Sequence, residues 1–118
     1  MNAEEPTIGS ATHLPDLVAA VEIPSNGTLS RVLYKDESIR LVVFAFDEGQ
    51  ELTDHTARYP AIVQVLVGRI ELVLDGEPIE VTLGGWVHMP PELPHAVRAL
   101  EPTVMVLTLL TGETRQLS

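Results

Sequence analysis

Short apolar runs, cut at near-regular intervals by glycine, proline and aspartate, constrain this chain more than any other feature. Leu29 to Tyr34, Ile39 to Phe46, Ile62 to Val67, Arg69 to Leu74, Pro78 to Leu83, Trp86 to Met89, His95 to Leu100 and Val104 to Leu110 each have the length of a strand. Lys35-Asp36-Glu37, Gly68, Asp75-Gly76 and Gly84-Gly85 punctuate them. A helix needs an apolar stripe of helical period over roughly ten residues or more, and only Leu14 to Ala20 offers a weak one, with Pro15 at its start. The pattern predicts an all-β, antiparallel sandwich or barrel. A further apolar run, Val18 to Ile23, ends at Pro24-Ser25-Asn26-Gly27. Its Asn-Gly pair is a hairpin turn signal, because such a turn requires positive φ, and it predicts an additional strand at the N-terminal end.

Two of these runs break the in-out alternation of a half-exposed strand. Leu41-Val42-Val43-Phe44-Ala45-Phe46 and Val104-Met105-Val106-Leu107-Thr108-Leu109-Leu110 carry apolar residues on both parities, so both faces need cover. A second subunit would supply it, which predicts a homodimer, since an exposed apolar sheet face is a liability. The alternative is that the first strands fold across that face within one chain, and both arrangements can coexist.

Two histidines recur in a fixed frame of turn residues, Gly49-x5-His55-x-Ala57-x3-Ala61-x6-Gly68 and Gly84-x5-Pro90-x-Glu92-x2-His95. Alternate side chains share a strand face, so His55, Ala57 and, after the Arg58-Tyr59-Pro60 turn, Ala61, Val63 and Val65 are candidates for the interior. Pro90, Pro91 and Pro94 forbid continuous ladder pairing and shape a turn that delivers His95 to the next strand. Glu51 and Thr53 share parity with His55 and are expected at the pocket edge, with Asp54 pointing away. His88 either faces inward with Trp86 or lies outside, with Val87 and Met89 inside. His13 reads as a surface residue, and Glu92 as a solvated turn residue.

This spacing resembles the two motifs of the cupin superfamily, G-x5-H-x-H-x3,4-E-x6-G and G-x5-P-x-G-x2-H-x3-N. The resemblance runs from Leu29 to Leu110 and implies a small bacterial cupin domain, a double-stranded β-helix of the RmlC-like jelly-roll type. In that frame His55 and His95 fall on two of the four ligand positions. Ala57 stands at the second histidine, Ala61 at the glutamate, Glu92 at a turn glycine and Ala99 at the closing asparagine. The family's activities include dioxygenases, isomerases, decarboxylases, lyases and sugar epimerases, besides sensor and storage proteins, and a fold does not choose among them.

Catalytic metal sites use about three protein ligands plus solvent, so two imidazoles alone would hold a divalent ion weakly. The expected metal ligands are His55 and His95, with His88 or Glu51 as a non-standard third, for Fe, Mn, Ni or Zn bound weakly or not at all. A metal-free His55 would instead be satisfied by a backbone group or water. The replacements are small, so Ala57, Ala61 and Ala99, with Val63, are expected to leave a pocket beside the two histidines.

Composition narrows the partners. The 118 residues, 45% of them hydrophobic, suffice for one domain and one core. Residues 1–15 are expected to form a flexible N-terminal segment ahead of a barrel core at about 29–111. A net charge of -10 with seven scattered Lys and Arg disfavours nucleic acid and anionic lipid. The absence of cysteine removes disulfides, thiolate ligands and thiol nucleophiles. With no signal-peptide pattern in Met1 to Pro15 and no span-length apolar run, a cytoplasmic protein is expected. No nucleophile elbow or phosphate-binding glycine loop occurs, and one Trp, two Tyr and two Phe give no stacking platform for bases. The reading is a small-molecule-binding cupin with an incomplete metal site. The alternatives are a metal-dependent oxygenase or isomerase, and a non-catalytic dimeric scaffold or sensor module.

Overall fold

The computed structural model describes residues 10–112, among which nine β-strands form two antiparallel sheets. Glu4 and Glu5 and the first part of the expected N-terminal segment lie outside the described residues. The strands are β1 (Thr28–Lys35), β2 (Ile39–Phe46), β3 (Glu51–His55), β4 (Ala61–Val67), β5 (Arg69–Leu74), β6 (Glu77–Thr82), β7 (Trp86–Met89), β8 (His95–Ala99) and β9 (Thr103–Leu110). One sheet has the order β1-β2-β9-β4-β7 and the other β3-β8-β5-β6. From β2 to β5 and from β6 to β9 successive strands alternate between the sheets, as in a jelly roll, while β1-β2 and β5-β6 are hairpins within one sheet, and the two sheets close a sandwich over one core.

The inner faces of both sheets meet in a cluster containing Phe46, Val63, Val65, Ile70, Leu72, Val97, Ala99 and Met105. Along β5 and β8 of the four-stranded sheet the alternation is clean. Ile70, Leu72, Val81 and Val97 are buried, whereas Arg69, Glu71, Glu80 and Arg98 face outward and form exposed ion pairs, Arg69–Glu80 at 3.2 Å and Arg98–Glu71 at 3.8 Å. Pairs so exposed contribute little to stability, roughly 1 kcal/mol at most.

The five-stranded sheet is apolar on both sides. Phe44, Phe46, Met105, Leu107 and Leu109 point to the inner core, while Val43, Ala45, Val104 and Val106 form a second cluster on the other face. Leu17, Val18, Val21 and Ile23 pack on that second cluster. The cover expected on this face therefore comes at least in part from the chain's own N-terminal segment. That segment is not a strand, in contrast to the hairpin expected at Asn26-Gly27. Val18–Ala20 form one 3-10 turn, its amides at Val18 and Ala19 capped by the Asp16 carboxylate, and no strand pairs with β1 from that side among the described residues.

Asn26 does take positive φ, 53°, but its turn is held from elsewhere: its N–H donates to the Asp47 carboxylate at 2.7 Å. Tertiary packing onto the second cluster overrides the local hairpin signal. Asp75-Gly76 behaves as such a pair should, both at positive φ between the paired residues Leu74 and Glu77.

Candidate functional site

β3 and β8 are antiparallel neighbours, and their register brings His55 opposite His95. Glu51 pairs with Arg98 and Leu52 with Val97, but His55 pairs with His95, so β3 holds one residue more than β8 over this stretch. The extra residue is a β-bulge, which re-aims the side chains beyond it. Leu52 packs on the inner core and His55 also turns to the interior side, although three positions separate them. The parity that linked Glu51 and Thr53 to His55 is therefore broken. Glu51 is exposed and lines no cavity beside the histidines.

The imidazole centroids lie 4.3 Å apart with the rings tilted by 59°. His95 is buried, with 8% of its surface exposed, whereas His55 is exposed at the mouth. Both rings are held the same way. His55 Nδ1 is 2.8 Å from the Thr53 carbonyl, and His95 Nδ1 is 2.9 Å from the Leu93 carbonyl, each two residues back along the chain. A carbonyl oxygen only accepts, so each Nδ1 carries the proton. In the neutral ring Nε2 is then left as a lone-pair acceptor or metal ligand. His55 is thus satisfied by a backbone group.

A cavity of about 180 Å³ adjoins the pair, lined by His55, Ala57, Tyr59, Ala61, Met89, Pro90, Leu93, His95, Leu107 and Leu109. A smaller one of about 40 Å³ shares His55, Met89, His95 and Leu107 and is walled by Phe44, Leu52, Val63, Val97 and Met105. His55, Ala57, Ala61, Val63 and His95 are accordingly brought together. Ala99 is not among them. It is fully buried in the core opposite Ile70, and its carbonyl and N–H bond Gly49 and Gln50.

His88 is also elsewhere. It pairs with Ile62 and is exposed beside Trp86, while Val87 and Met89 face the core. Tyr59, Met89, Leu93, Leu107 and Leu109 were not anticipated as lining. Their signal was the register that pairs Ala61 with both Met89 and Leu109, which sequence alone does not provide.

The second motif closes the rim. The Glu92 N–H donates to the Ala57 carbonyl at 2.7 Å, joining the two motifs directly. Glu92 has φ 68°, the left-handed conformation that a glycine at this position would adopt without strain. The approach to β3 is held as well: Gly49 N–H donates to Ala99 and Gln50 N–H to the Asp47 carbonyl. The backbone N–H of Asn26, and then that of Glu48, hold the Asp47 carboxyl below the usual carboxylate range.

No residue lining these two cavities is acidic. Among the described residues no three His, Cys, Asp or Glu side chains come together to hold a metal ion. A divalent cation of the expected kind does not fit this donor set, and neither His88 nor Glu51 can complete it without leaving its face of the sheet.

Two neighbouring imidazoles thus stand beside an apolar cavity in a jelly-roll barrel of the double-stranded β-helix class. The cupin domain model matches residues 42–111, and this chain belongs to the cupin family. It is similar in structure to a protein of unknown function, SPY1581, from Streptococcus pyogenes, at 32% identity and a TM-score of 0.81, over 96% of this chain and 100% of that one. It is also similar to an RmlC-like cupin from Desulfovibrio desulfuricans, at 26% identity and a TM-score of 0.78, over 87% and 100%. A third likeness, at 30% identity and a TM-score of 0.76, is to a cupin 2 conserved barrel domain protein from Leptotrichia buccalis, over 80% of this chain and 46% of that one. No curated protein matches.

Proposed function

We propose that this chain is a small-molecule-binding cupin whose pocket takes a compact, largely apolar molecule bearing one O–H or N–H donor. The observation that carries this reading is the pair of Nδ1 bonds to Thr53 and Leu93, which leaves both Nε2 atoms without a partner among the described residues. A donor group seated beside them would find an Nε2 acceptor in a wall otherwise made of Ala57, Tyr59, Ala61, Met89, Pro90, Leu93, Leu107 and Leu109. A cavity of about 180 Å³ suits a single-ring molecule, since an engineered cavity of about 150 Å³ holds benzene. Phenol is the simplest probe. Titrating it while following the histidine side-chain NMR signals should shift both His55 and His95, and the double change His55→Ala, His95→Ala should remove binding. Silence of both histidines across a set of such donors would end this reading.

The protein is proposed to act in the cytoplasm as a homodimer. The support for self-association is the edge strand β1, where Val32 stays 53% exposed and Leu29 lies open to solvent. Sedimentation of the full chain checks it, and Val32→Lys should shift a dimer to monomer.

A further inference from the structure

The smaller cavity is out of keeping with a packed core. Protein interiors fill to crystal density and leave few voids larger than a water molecule. Here about 40 Å³ stays open, beyond the roughly 10–15 Å³ that one water needs. Its walls are backed by the fold. Phe44 is stacked on the fully buried Phe46, with ring centroids 5.8 Å apart and planes 6° from parallel. Val63 and Met105 are buried on the five-stranded sheet and Val97 on the four-stranded one, so the void lies between the two layers. Apart from the imidazoles the lining is hydrocarbon and thioether. A buried water needs two to four polar partners, whereas an alkyl group needs none, and the void suits an alkyl group better.

Position says where on a ligand that group would be. His55, His95, Met89 and Leu107 line both this void and the larger cavity, so the imidazoles stand where the two meet. A ring seated in the larger cavity, with its donor at the imidazoles, brings the atoms next to that donor to the junction. A substituent on the adjacent carbon enters the void, and one across the ring points away from it.

We propose that the void is the inner compartment of the binding site and selects ligands with a small alkyl group on the carbon beside the donor, as in a 2-alkylphenol. Val63, Val97 and Met105 set the size of that group. The proposal rests on the reading above, that the histidines hold the donor of a ring in the larger cavity.

Calorimetric titration of the full chain with phenol, 2-methylphenol and 4-methylphenol tests it, because the two methylphenols are isomers that differ only in where the methyl points. The 2-methyl isomer should bind about fourfold more tightly than the 4-methyl isomer, the effect of burying one methyl group. Nuclear Overhauser contacts should run from its methyl protons to the methyl groups of Val63, Val97 and Met105. In Val97→Ile, whose added methyl occupies the void, the two isomers should bind alike. Equal affinities of the isomers for the unaltered chain, contacts of the 2-methyl group confined to the larger cavity, or a preference that survives Val97→Ile would each overturn the inner compartment. If phenol still moves the histidine signals in such a case, the pocket reading stands without it. If none of the three phenols moves them, both fall.

Discussion

His55 and His95 are the same residue held by the same bond, yet they sit on strands of opposite character. β8 is a regular inner strand with His95, Val97 and Ala99 buried in alternation, entered through a proline-rich turn. β3 is short and mostly exposed, and only its bulge and its pairing to β8 bring His55 to the pocket. One imidazole is therefore part of the core and the other stands exposed at the mouth.

The bulge is the first test of this contrast. Deleting Asp54 restores an even register and leaves His55 two residues from Leu52, which is anchored in the core, so His55 should keep its inward face and its place opposite His95 on a regular strand. Phenol-induced NMR shifts at His55 and His95 should persist in that variant, and their loss would mean that the bulge itself aims the His55 ring. Next in size is the asymmetry of stability. His95→Ala should cost about 1–3 kcal/mol, through a lost buried hydrogen bond and a void. His55→Ala at its exposed position should cost no more than about 0.5 kcal/mol. Urea denaturation of the two variants measures the difference, and equal costs would mean that the two arms are not distinct.

Filling the cavity beside the rings separates pocket from packing. Ala61→Leu should weaken phenol binding at least tenfold in calorimetry, while stability changes by roughly 1 kcal/mol or less because the cavity accepts the added volume. At the rim, Glu92→Gly should stabilise the fold by about 0.5–1 kcal/mol, relief of left-handed strain exceeding the added chain entropy. Thermal denaturation resolves that gain.

The smallest effect concerns the approach to β3. The Asp47 carboxyl is lowered by the amides of Asn26 and Glu48, so its contribution is complete above the unfolded value and fades as the pH falls below about 3.9. Asp47→Asn should flatten that part of the acid-denaturation profile. An unchanged profile would remove this anchor from the exposed arm.

Much of the fold was legible because its signals are local. Asp75-Gly76 announces a hairpin, and β2 and β9, apolar on both parities, announce a doubly covered sheet. The spacing of the two motifs marked both histidines together with Ala57 and Ala61, but it also marked Ala99, which lies in the core. The signals that misled are those in which local preference competes with distant contact. Asn26-Gly27 looks like a hairpin, but the Asp47 carboxylate and the outer cluster use it to turn a segment that packs rather than pairs. Glu51 shares parity with His55 only while the strand is regular, and a bulge carries no residue signature here.

By itself, then, the sequence determined eight of the nine strands described, most of the turns between them, the cupin frame and the two histidines, because each depends on side chains a few positions apart. The tertiary structure alone decided that His88 lies outside, that Ala99 belongs to the core, and that Met89, Leu107 and Leu109 wall the pocket. Those placements depend on which strands become neighbours and in what register, and a one-residue change in register exchanges the two faces of a strand.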